Sequence, residues 1–414
     1  MNLFYFFAYL PPRLLVEEKL TGYHCLAIPG PTNMPFEIRQ AMELPLEDHR
    51  APDFGEFTLP LLDDLKKIFR TQTGRVFVFP GSGTGGWESA IANTLSEGDK
   101  ILTSVFGHFS HLWADMCKRF KLNVDIIEQN WGKGVPLEKY RELLEQDKDH
   151  SIKAVLVCHN ETATGVTSDI MAVRQILDDL SHPALLFVDG VSSIGSLEFH
   201  MDYWGIDVAV SASQKGFMMP TGLAILGVSK KALSLCDKAD LPRCFFDFSE
   251  MAIMNDDGYF PYTPATNLLR GLRASVDMLL KEGLDNVHKR HFRLAEGVRR
   301  AVVAWGLSTC AESPELYSDT VTAVKVKPGI DANEIIKHAY YDFKVSLGGG
   351  LSILNGDVFR IGHLGWTNET MILQALGGVE LAMLKSGVLF EPGAGVGAAI
   401  QHYSGTKRLV LQAA

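Results

Sequence analysis

The sequence predicts an α/β protein with a mostly parallel central sheet, followed by a second, smaller α/β domain. Short apolar runs recur between about residue 57 and residue 230, and amphipathic segments with helical spacing lie between many of them. Strands that alternate with helices are typical of a parallel sheet sandwiched by helices. After about residue 265 the composition shifts toward Leu, Ala, Arg and Glu, which indicates long helices and a new structural unit.

The first region begins with a predicted helix at Phe57–Phe69, where apolar residues such as Leu65 and Ile68 recur at helical spacing. Further helices are predicted at Leu137–Leu144 and Val173–Leu180. The strands are interpreted as fully buried because their apolar runs are continuous. They are Val76–Phe79, Ile101–Val105, Val124–Ile127, Ala154–Cys158, Leu185–Val188, Val208–Val210 and Leu223–Val228.

The second region begins with long helices in Thr266–Trp305. Strands near Val321–Val326, Phe343–Ser346 and Val358–Ile361 and a helix near Asn368–Leu384 follow. The Gly- and Ala-rich segment after residue 389 is expected to pack loosely. These patterns divide the chain into an N-terminal arm (1–25), a large domain (26–275), a small C-terminal domain (276–390) and a C-terminal tail (391–414).

Composition and charge exclude several classes of protein. The 414 residues are 46% hydrophobic and 21% charged, as expected of a folded globular chain. A net charge of −10 argues against general nucleic-acid binding, and no apolar run is long enough to span a membrane. Six cysteines without a CxxC pair predict neither a disulfide framework nor a zinc site, and they favour mostly buried thiols in the reducing cytoplasm. Leu3–Leu10 is apolar, but no basic residue precedes it and Pro11–Pro12 follows it, so we expect an arm and no signal peptide.

A glycine-rich turn follows the first predicted strand, in the sequence Pro80-Gly-Ser-Gly-Thr-Gly-Gly86. Glycines let a ligand approach the backbone, and the N-terminus of the following helix attracts an anion. The spacing also matches GxGxxG, but a dinucleotide site needs an acidic residue at the end of the next strand, and Thr103–His108 contains none. A monophosphate therefore fits best, and a simple tight strand–helix turn is the alternative.

Two charged residues follow other buried strands. Asp189 ends the strand Leu185–Val188, where a buried carboxylate needs a cation or hydrogen-bond donors. An aspartate that caps its own turn is the alternative. Lys215 follows the strand at Val208–Val210, where desolvation would lower the pKa of its amine and make it a nucleophile. A phosphate cradle, a buried aspartate and a strand-end lysine on one sheet edge are three fixed points for pyridoxal 5'-phosphate (PLP).

Seven segments in the same order as in a known family support this interpretation, and they cover about residues 26–390. They are Pro29–Asn33, Gly81–Gly86, His159–Gly165, Val188–Ser193, Ser213–Gly216, Pro261–Pro264 and Phe359–Gly362. With these segments the chain resembles the class V branch of the fold-type I PLP-dependent aminotransferases, and more narrowly the alanine/serine/aspartate–glyoxylate aminotransferases.

The resemblance implies a role for each matching residue. Lys215 would join the cofactor aldehyde as a Schiff base and then move the substrate proton, and Asp189 would pair with the pyridine N–H. Arg360 would bind the substrate α-carboxylate in a bidentate pair; a surface strand residue is the alternative. The other cofactor-binding residues implied are Ser82, Gly83, Thr84 and Gln214 at the phosphate, Phe109 stacked on the ring, and Thr162 at the phenolic oxygen. A core aromatic is the alternative for Phe109.

The resemblance further implies a homodimer with shared active sites, because Thr263 would reach the phosphate of the neighbouring subunit. Two positions depart from the family pattern. A phosphate-binding tyrosine is often found three residues before this threonine, where Phe260 stands here between nearby Tyr259 and Tyr262. Arg270 stands where relatives can carry tyrosine. We interpret it as a solvated helix arginine, with recognition of an acidic donor side chain as the alternative.

The implied activity is transfer of an amino group from L-serine, L-aspartate or L-alanine to glyoxylate, with serine and aspartate favoured. A cysteine desulfurase or other class V lyase is one competing interpretation. Desulfurases place a histidine before the lysine and a catalytic cysteine on a mobile loop, whereas Gln214 precedes Lys215 here and Val345–Ser352 contains no cysteine. An NAD-dependent oxidoreductase is a second competing interpretation, and a PLP-fold protein without turnover is a third.

Overall fold

The computed structural model describes residues 22–405, so most of the predicted N-terminal arm and the last residues of the predicted tail lie outside it. The strands are β1 (Cys25–Ala27), β2 (Arg75–Gly81), β3 (Lys100–Val105), β4 (Asn123–Glu128), β5 (Ile152–Cys158), β6 (Asn160–Glu161), β7 (Val166–Thr167), β8 (Leu185–Asp189), β9 (Val208–Ala212), β10 (Gly222–Val228), β11 (Ser308–Thr309), β12 (Val321–Lys325), β13 (Val345–Gly349) and β14 (Val358–Gly362).

The helices are α1 (Phe36–Met42), α2 (Phe54–Phe69), α3 (Gly83–Thr94), α4 (His108–Arg119), α5 (Leu137–Gln146), α6 (Ile170–Asp179), α7 (Lys230–Leu233), α8 (Phe248–Asn255), α9 (Thr266–Glu282), α10 (Leu284–Ala304), α11 (Ala332–Phe343), α12 (Glu369–Lys385) and α13 (Ala394–Ser404). Short 3-10 turns lie at Pro314–Leu316 and Ser352–Leu354.

The larger sheet has seven strands in the order β2-β10-β9-β8-β5-β3-β4. Strand β10 is antiparallel to both of its neighbours, and the other strands run in one direction. The predicted α/β class with a mostly parallel sheet is therefore confirmed. Because the strands share a direction, the segments that follow β2, β5, β8 and β9 meet at one edge of the sheet.

One strand differs from its predicted burial. The predicted strand Val124–Ile127 belongs to β4, which lies at the end of the sheet and is half-exposed, with both terminal residues exposed. An edge strand has a neighbouring strand on one side only and is partly open to solvent on the other. Polar residues such as Asp125 can therefore stand among its apolar ones. The interpretation of this strand as fully buried was wrong, whereas β8 and β9 are buried along their whole length.

The smaller sheet has five strands in the order β1-β13-β14-β12-β11. Strand β1 pairs in parallel with β13, although more than 300 residues of chain separate them. Val287 in the first turn of α10 packs in the core of the larger sheet, and Leu294 and Val298 pack in the core of the smaller one. Helix α10 thus connects the two cores, and the predicted division between residues 275 and 276 stays a prediction.

As far as residue 405, the C-terminal segment does not pack loosely, and for this part the expectation was wrong. Helix α13 lies along α10, and the Tyr403 hydroxyl donates a hydrogen bond to the Leu294 carbonyl over 2.8 Å. A Cβ at Gly395 would lie 2.3 Å from Trp305 Nε1, so the small residue permits close helix packing. One of the glycines that suggested a loose tail therefore serves a tight contact, whereas a Cβ at Gly393 or Gly397 would meet nothing within 4 Å.

The strand predicted near Phe343–Ser346 begins later than expected, at Val345, because Phe343 ends α11 and Lys344 adopts a left-handed conformation with φ of 53°. No helix within residues 22–405 is both long and apolar enough to cross a lipid bilayer. All six cysteines are free, and four of them, Cys117, Cys158, Cys236 and Cys310, are buried.

Candidate active site

The N-terminus of α3 lies at the carboxyl end of β2 and has no side-chain cap. Ser82 precedes the helix in an extended conformation, and no side chain within residues 22–405 accepts a hydrogen bond from the first-turn N–H groups. Gly83 packs on Val191, where a Cβ would lie 2.6 Å from a methyl carbon, and Thr84 is exposed. Uncapped helix N-termini attract anions, because their N–H groups point outward and the helix dipole is positive there.

A second observation favours an anion beside this turn. Gln214 Oε1 is buried without a hydrogen-bond partner among the described residues. The two ends of a glutamine amide are assigned from their hydrogen bonds, so the reversed amide would direct its N–H₂ group to the same position. There it could donate to a phosphate oxygen.

Asp189 ends β8 as a buried carboxylate with few donors. Its Oδ1 accepts the Val191 N–H over 2.9 Å, and its Oδ2 lies 3.7 Å from the Cys158 thiol. Burial raises the pKa of Asp189 to about 6, and the Val191 N–H acts in the opposite direction. Asp189 forms no salt bridge within residues 22–405. A protonated ring nitrogen would supply the partner that this carboxylate lacks.

Lys215 lies in the loop that follows β9, in a closely packed position. Its Nζ donates to the Pro29 carbonyl over 2.5 Å, and a Cβ on Gly30 would lie 2.6 Å from the same nitrogen. Burial lowers the pKa of Lys215 to about 8, and the positive charge of Arg360 lowers it further, whereas Asp189 acts in the opposite direction. Near physiological pH, more of this amine is therefore neutral than in an ordinary lysine, whose pKa is about 10.5.

Arg360 projects from β14 of the smaller sheet and reaches the segment that follows β5. Its Nε donates to the Gly349 carbonyl over 2.9 Å, and its Nη1 donates to the Thr162 carbonyl over 3.1 Å. The residue is 7% exposed, and burial lowers the pKa of its guanidinium to about 10. The alternative interpretation as a surface strand residue was wrong. The described residues provide no acceptor for Nη2, which leaves that edge of the guanidinium available to a carboxylate.

Phe109 and Thr162 lie on two segments that a buried carboxylate joins. Phe109 is half-buried in the first turn of α4, and its N–H donates to Glu161 Oε1 over 3.3 Å. The hydroxyl of the buried Thr162 donates to Ser192 Oγ over 3.0 Å. The structure thus brings Phe109, Thr162 and Arg360 into one connected set of contacts.

Thr263 does not join this cluster within one chain. It is exposed in the segment before α9, and no described hydrogen bond connects it to the Gly81–Gly86 turn. Its predicted reach into a neighbouring subunit stays a prediction. Phe260 is buried in the core, the Tyr259 hydroxyl donates to the Ala51 carbonyl over 3.1 Å, and Tyr262 is 37% exposed.

Arg270 is not the solvated helix arginine that we expected. Its Nε donates to Glu47 Oε2 over 2.7 Å, and its Nη2 bonds the other carboxylate oxygen. The guanidinium carbon also lies 3.7 Å from the centroid of the Phe57 ring. Both a carboxylate and an aromatic ring therefore hold the arginine before any substrate binds.

Several residues near the site escaped the sequence reasoning, although their segments were recognised. Glu161, Ser192 and the Pro29 carbonyl make direct contacts with the predicted residues Phe109, Thr162 and Lys215, respectively. His159 is buried, its Nδ1 lies 2.8 Å from Ser193 Oγ, and burial lowers its pKa to about 4. One signal could have found Glu161, because it follows an apolar strand as Asp189 does.

The position of β2 excludes a dinucleotide site at the Gly81–Gly86 turn. A dinucleotide-binding turn connects neighbouring parallel strands. Here β2 lies at the end of the sheet and pairs with antiparallel β10, while β3, the next strand along the chain, pairs with β4 and β5.

Comparisons with known proteins agree with this arrangement. Residues 63–340 match the class V aminotransferase family. The serine–glyoxylate aminotransferase of Hyphomicrobium methylovorum is 58% identical over 92% of this chain and 94% of its own length. The L-aspartate–glyoxylate aminotransferase of Paracoccus denitrificans is 52% identical over 94% of this chain and 98% of its own length. The solved pyridoxamine–pyruvate aminotransferase of Mesorhizobium loti has a TM-score of 0.85 and 26% identity, covering 93% of this chain and 98% of that one. This chain therefore belongs to the class V family of fold-type I aminotransferases.

Proposed function

We propose that this chain is a PLP-dependent aminotransferase that moves the amino group of a small L-amino acid to glyoxylate. L-Serine and L-aspartate are the favoured donors, and L-alanine is a third. The observation that carries the proposal is the position of Lys215, Asp189 and Arg360 around one buried site beside an uncapped helix N-terminus. The names of the serine– and aspartate–glyoxylate relatives support glyoxylate as the acceptor.

The residues present fit PLP at each of its polar groups. The phosphate would bind at Ser82, Gly83, Thr84 and Gln214, where the described part of the chain provides no side-chain cap for the helix N–H groups and no partner for one end of a buried amide. The ring N–H would bind Asp189, the phenolic oxygen would bind Thr162, and Phe109 would stack on the ring. When bound, PLP supplies an electrophilic carbonyl carbon and a ring that withdraws electrons from the substrate Cα.

Two side chains would act on the substrate itself. Arg360 would bind its α-carboxylate through the available edge of the guanidinium. Because glyoxylate also carries a carboxylate, the same residue serves both half-reactions. Lys215, buried and with a lowered pKa, would take the proton from the substrate Cα as a neutral amine and pass it to the aldehyde-derived carbon C4′ of the cofactor. In the half-reaction with glyoxylate it would move a proton in the opposite direction, from C4′ to the carbon that becomes the Cα of glycine.

The thiols near the site do not suit a desulfurase. Cys158 is buried beneath Asp189, and burial raises the pKa of its thiol. Burial likewise raises the pKa of Cys310 to about 11. A nucleophilic cysteine needs a lowered pKa and access to the substrate. The observations therefore favour the aminotransferase over the lyase.

The test is a donor panel on the purified protein with PLP and glyoxylate. We expect glycine from serine or aspartate as the dominant donor. If no donor yields glycine while borohydride still attaches the cofactor covalently, the acceptor assignment is wrong and the cofactor assignment stands. If borohydride attaches no cofactor, the PLP assignment is also wrong.

The contacts of Arg270 predict that it does not select aspartate over serine. Because the Arg270 guanidinium already bonds the Glu47 carboxylate, Arg270→Ala should lower activity toward aspartate and toward serine by the same factor. The kcat/KM values of the two donors measure this ratio. Arg273→Ala is a matched control on the same helix, since Arg273 pairs with Asp64 and Asp277. A loss for aspartate that exceeds the loss for serine by about tenfold, or 1.4 kcal/mol, would contradict the prediction.

The pKa of Lys215 predicts how cofactor attachment depends on pH. The amine attacks only when neutral, and its pKa is about 8. The rate at which the apoprotein captures PLP covalently should therefore rise as pH increases through about 8 and then level off. Stopped-flow absorbance at constant PLP concentration measures this rate. A midpoint near 10.5, the ordinary value for lysine, would show that Lys215 is not desolvated.

A further inference from the structure

Glu161 is a fully buried carboxylate that the proposed chemistry does not use. It accepts four hydrogen bonds: from the Phe109 N–H over 3.3 Å, the Ser110 N–H over 2.9 Å, the Ser110 hydroxyl over 3.1 Å and the Ala163 N–H over 3.1 Å. The side chain also fills the space beside Gly107, where a Cβ would lie 2.1 Å from Glu161 Cγ. All of these groups are donors, which suits a carboxylate that only accepts.

The four bonds connect two segments that carry proposed cofactor contacts. Phe109 lies in the first turn of α4, and Ala163 directly follows Thr162. Glu161 therefore caps the helix that carries the ring to be stacked, and it also bonds the residue next to the hydroxyl for the phenolic oxygen. Arg360 reaches the same segment through the Thr162 carbonyl.

We propose that Glu161 is a positioning residue that fixes the spacing between Phe109 and Thr162 and thereby sets the affinity and orientation of the cofactor. This inference rests on the proposed function, because it assigns to Phe109 and Thr162 the PLP contacts given above. Glu161 itself would touch neither cofactor nor substrate.

The chain contains a matched control. Glu380 is 6% exposed and also accepts four hydrogen bonds, from Trp305 Nε1 over 2.9 Å and from the N–H groups of Gly393, Gly395 and Val396 over 2.7 to 3.1 Å. It caps α13, in the core of the smaller sheet, and contacts none of the proposed cofactor residues. Both carboxylates cap a helix, but only the helix capped by Glu161 carries a proposed cofactor contact, Phe109.

The experiment compares Glu161→Gln with Glu380→Gln. A glutamine amide turns two hydrogens toward groups that are themselves donors, so each variant leaves a buried donor unsatisfied. We expect both apoproteins to show a lower Tm. Only Glu161→Gln should raise the Kd for PLP, by about tenfold, because displacement of Phe109 and Thr162 would weaken their contacts with the cofactor. It should also change the visible circular dichroism of bound PLP, whereas Glu380→Gln should leave both properties unchanged.

A double variant tests whether Glu161 acts through the aromatic ring. If Glu161 positions Phe109, the Kd of Glu161→Gln/Phe109→Ala should rise by less than the product of the two single effects. Independent effects on Kd would contradict the proposal. Ser110→Ala removes one of the four hydrogen-bond donors to Glu161 and keeps the carboxylate. This variant therefore tests the proposal if Glu161→Gln does not fold. We expect it to raise the Kd by about threefold, since three of the four donors to the carboxylate remain.

Several results would overturn the inference. A Glu161→Gln protein that binds PLP with wild-type Kd and dichroism would do so, as would a Glu380→Gln protein that weakens PLP binding equally. If Ser110→Ala is the only variant that folds, a wild-type Kd of this variant for PLP would also overturn the inference. A wild-type protein that does not bind PLP would instead refute the proposed function, and the inference with it.

Discussion

Lys215→Ala should lower the kcat for glycine formation by at least about 10³-fold relative to the wild type. Proton transfer by a positioned group contributes about 10² to 10⁴ in rate, and the amine is also the proposed covalent attachment point. Burial lowers the pKa of Lys215 to about 8 and makes this amine a competent base at neutral pH. A loss of this size would identify Lys215 as the group that moves the proton.

Lys231 provides the control for this variant. It lies at the opposite edge of the same sheet, where its Nζ donates to the Ala184 carbonyl over 2.9 Å and lies 3.5 Å from Asp207. Lys231→Ala should retain activity within about twofold, because Lys231 is remote from the site and the buried Asp207 keeps its hydrogen bonds from the Leu186 N–H and the Ser229 hydroxyl. Equal losses in the two variants would mean that activity responds to general stability.

Borohydride reduction gives a second measurement that does not depend on turnover. In the presence of PLP it should attach the cofactor to the peptide that contains Lys215, and mass spectrometry of the digest detects the added mass. Lys215→Ala should give no such peptide. It should still bind PLP without a covalent link through the uncapped turn and Asp189. Glycine formed at the wild-type rate by Lys215→Ala would refute the assignment.

The central sheet and the groups at its strand ends could be predicted because their signals are local in sequence. Asp189 and Lys215 each follow a continuous apolar run, and parallel strands bring such ends to one edge. The Gly81–Gly86 turn carries its own signal, in the glycines between strand and helix. For these residues the alternation of strands and helices was enough to predict where the side chains meet.

Other features depend on contacts between distant segments, and no local pattern encodes them. The bond from Arg360 to the Thr162 carbonyl spans 198 residues, so the burial of Arg360 could not be separated from surface exposure in advance. Strand β1 pairs with β13 across the whole larger unit. The contacts of the half-buried Arg270 with Glu47 and Phe57 also join three separate segments of the chain.

The glycine-rich C-terminal segment was misjudged for a related reason. A high glycine content lowers helix propensity and suggests a loose chain. In α13, however, Gly395 lets the helix approach Trp305, and Glu380 caps its first turn from α12. Tertiary packing overrides the local preference here, and the partners for that packing stand elsewhere in the sequence.

Arg360→Met should raise the KM of both the amino donor and glyoxylate by about 10²-fold. The guanidinium would form two charge-assisted hydrogen bonds with the substrate carboxylate, and their loss amounts to roughly 3 kcal/mol. Steady-state kinetics with each substrate varied in turn measures both constants. Both should change together, because both substrates carry the carboxylate. Arg360→Lys keeps the charge without the planar fork, so we expect an intermediate loss.

A substrate without a carboxylate separates binding from structural damage. Ethanolamine is serine without its α-carboxylate, and the wild type should discriminate strongly against it. If Arg360 binds that group, Arg360→Met should lose activity toward serine and none toward ethanolamine, so the discrimination should nearly disappear. If the variant instead loses activity equally toward both, the arginine supports the fold through the Gly349 and Thr162 carbonyls and does not bind the substrate.

The same variant should also alter Lys215, with a sign that the electrostatics determine. The positive charge of Arg360 lowers the pKa of the Lys215 amine, so its removal should raise that pKa above about 8. The pH midpoint for covalent PLP capture by the apoprotein should then shift upward, and less neutral amine should be present at pH 7. Arg360→Lys should shift it less, since a positive charge remains nearby. An unchanged midpoint in Arg360→Met would mean that burial alone sets the pKa of Lys215 and that the two side chains act independently.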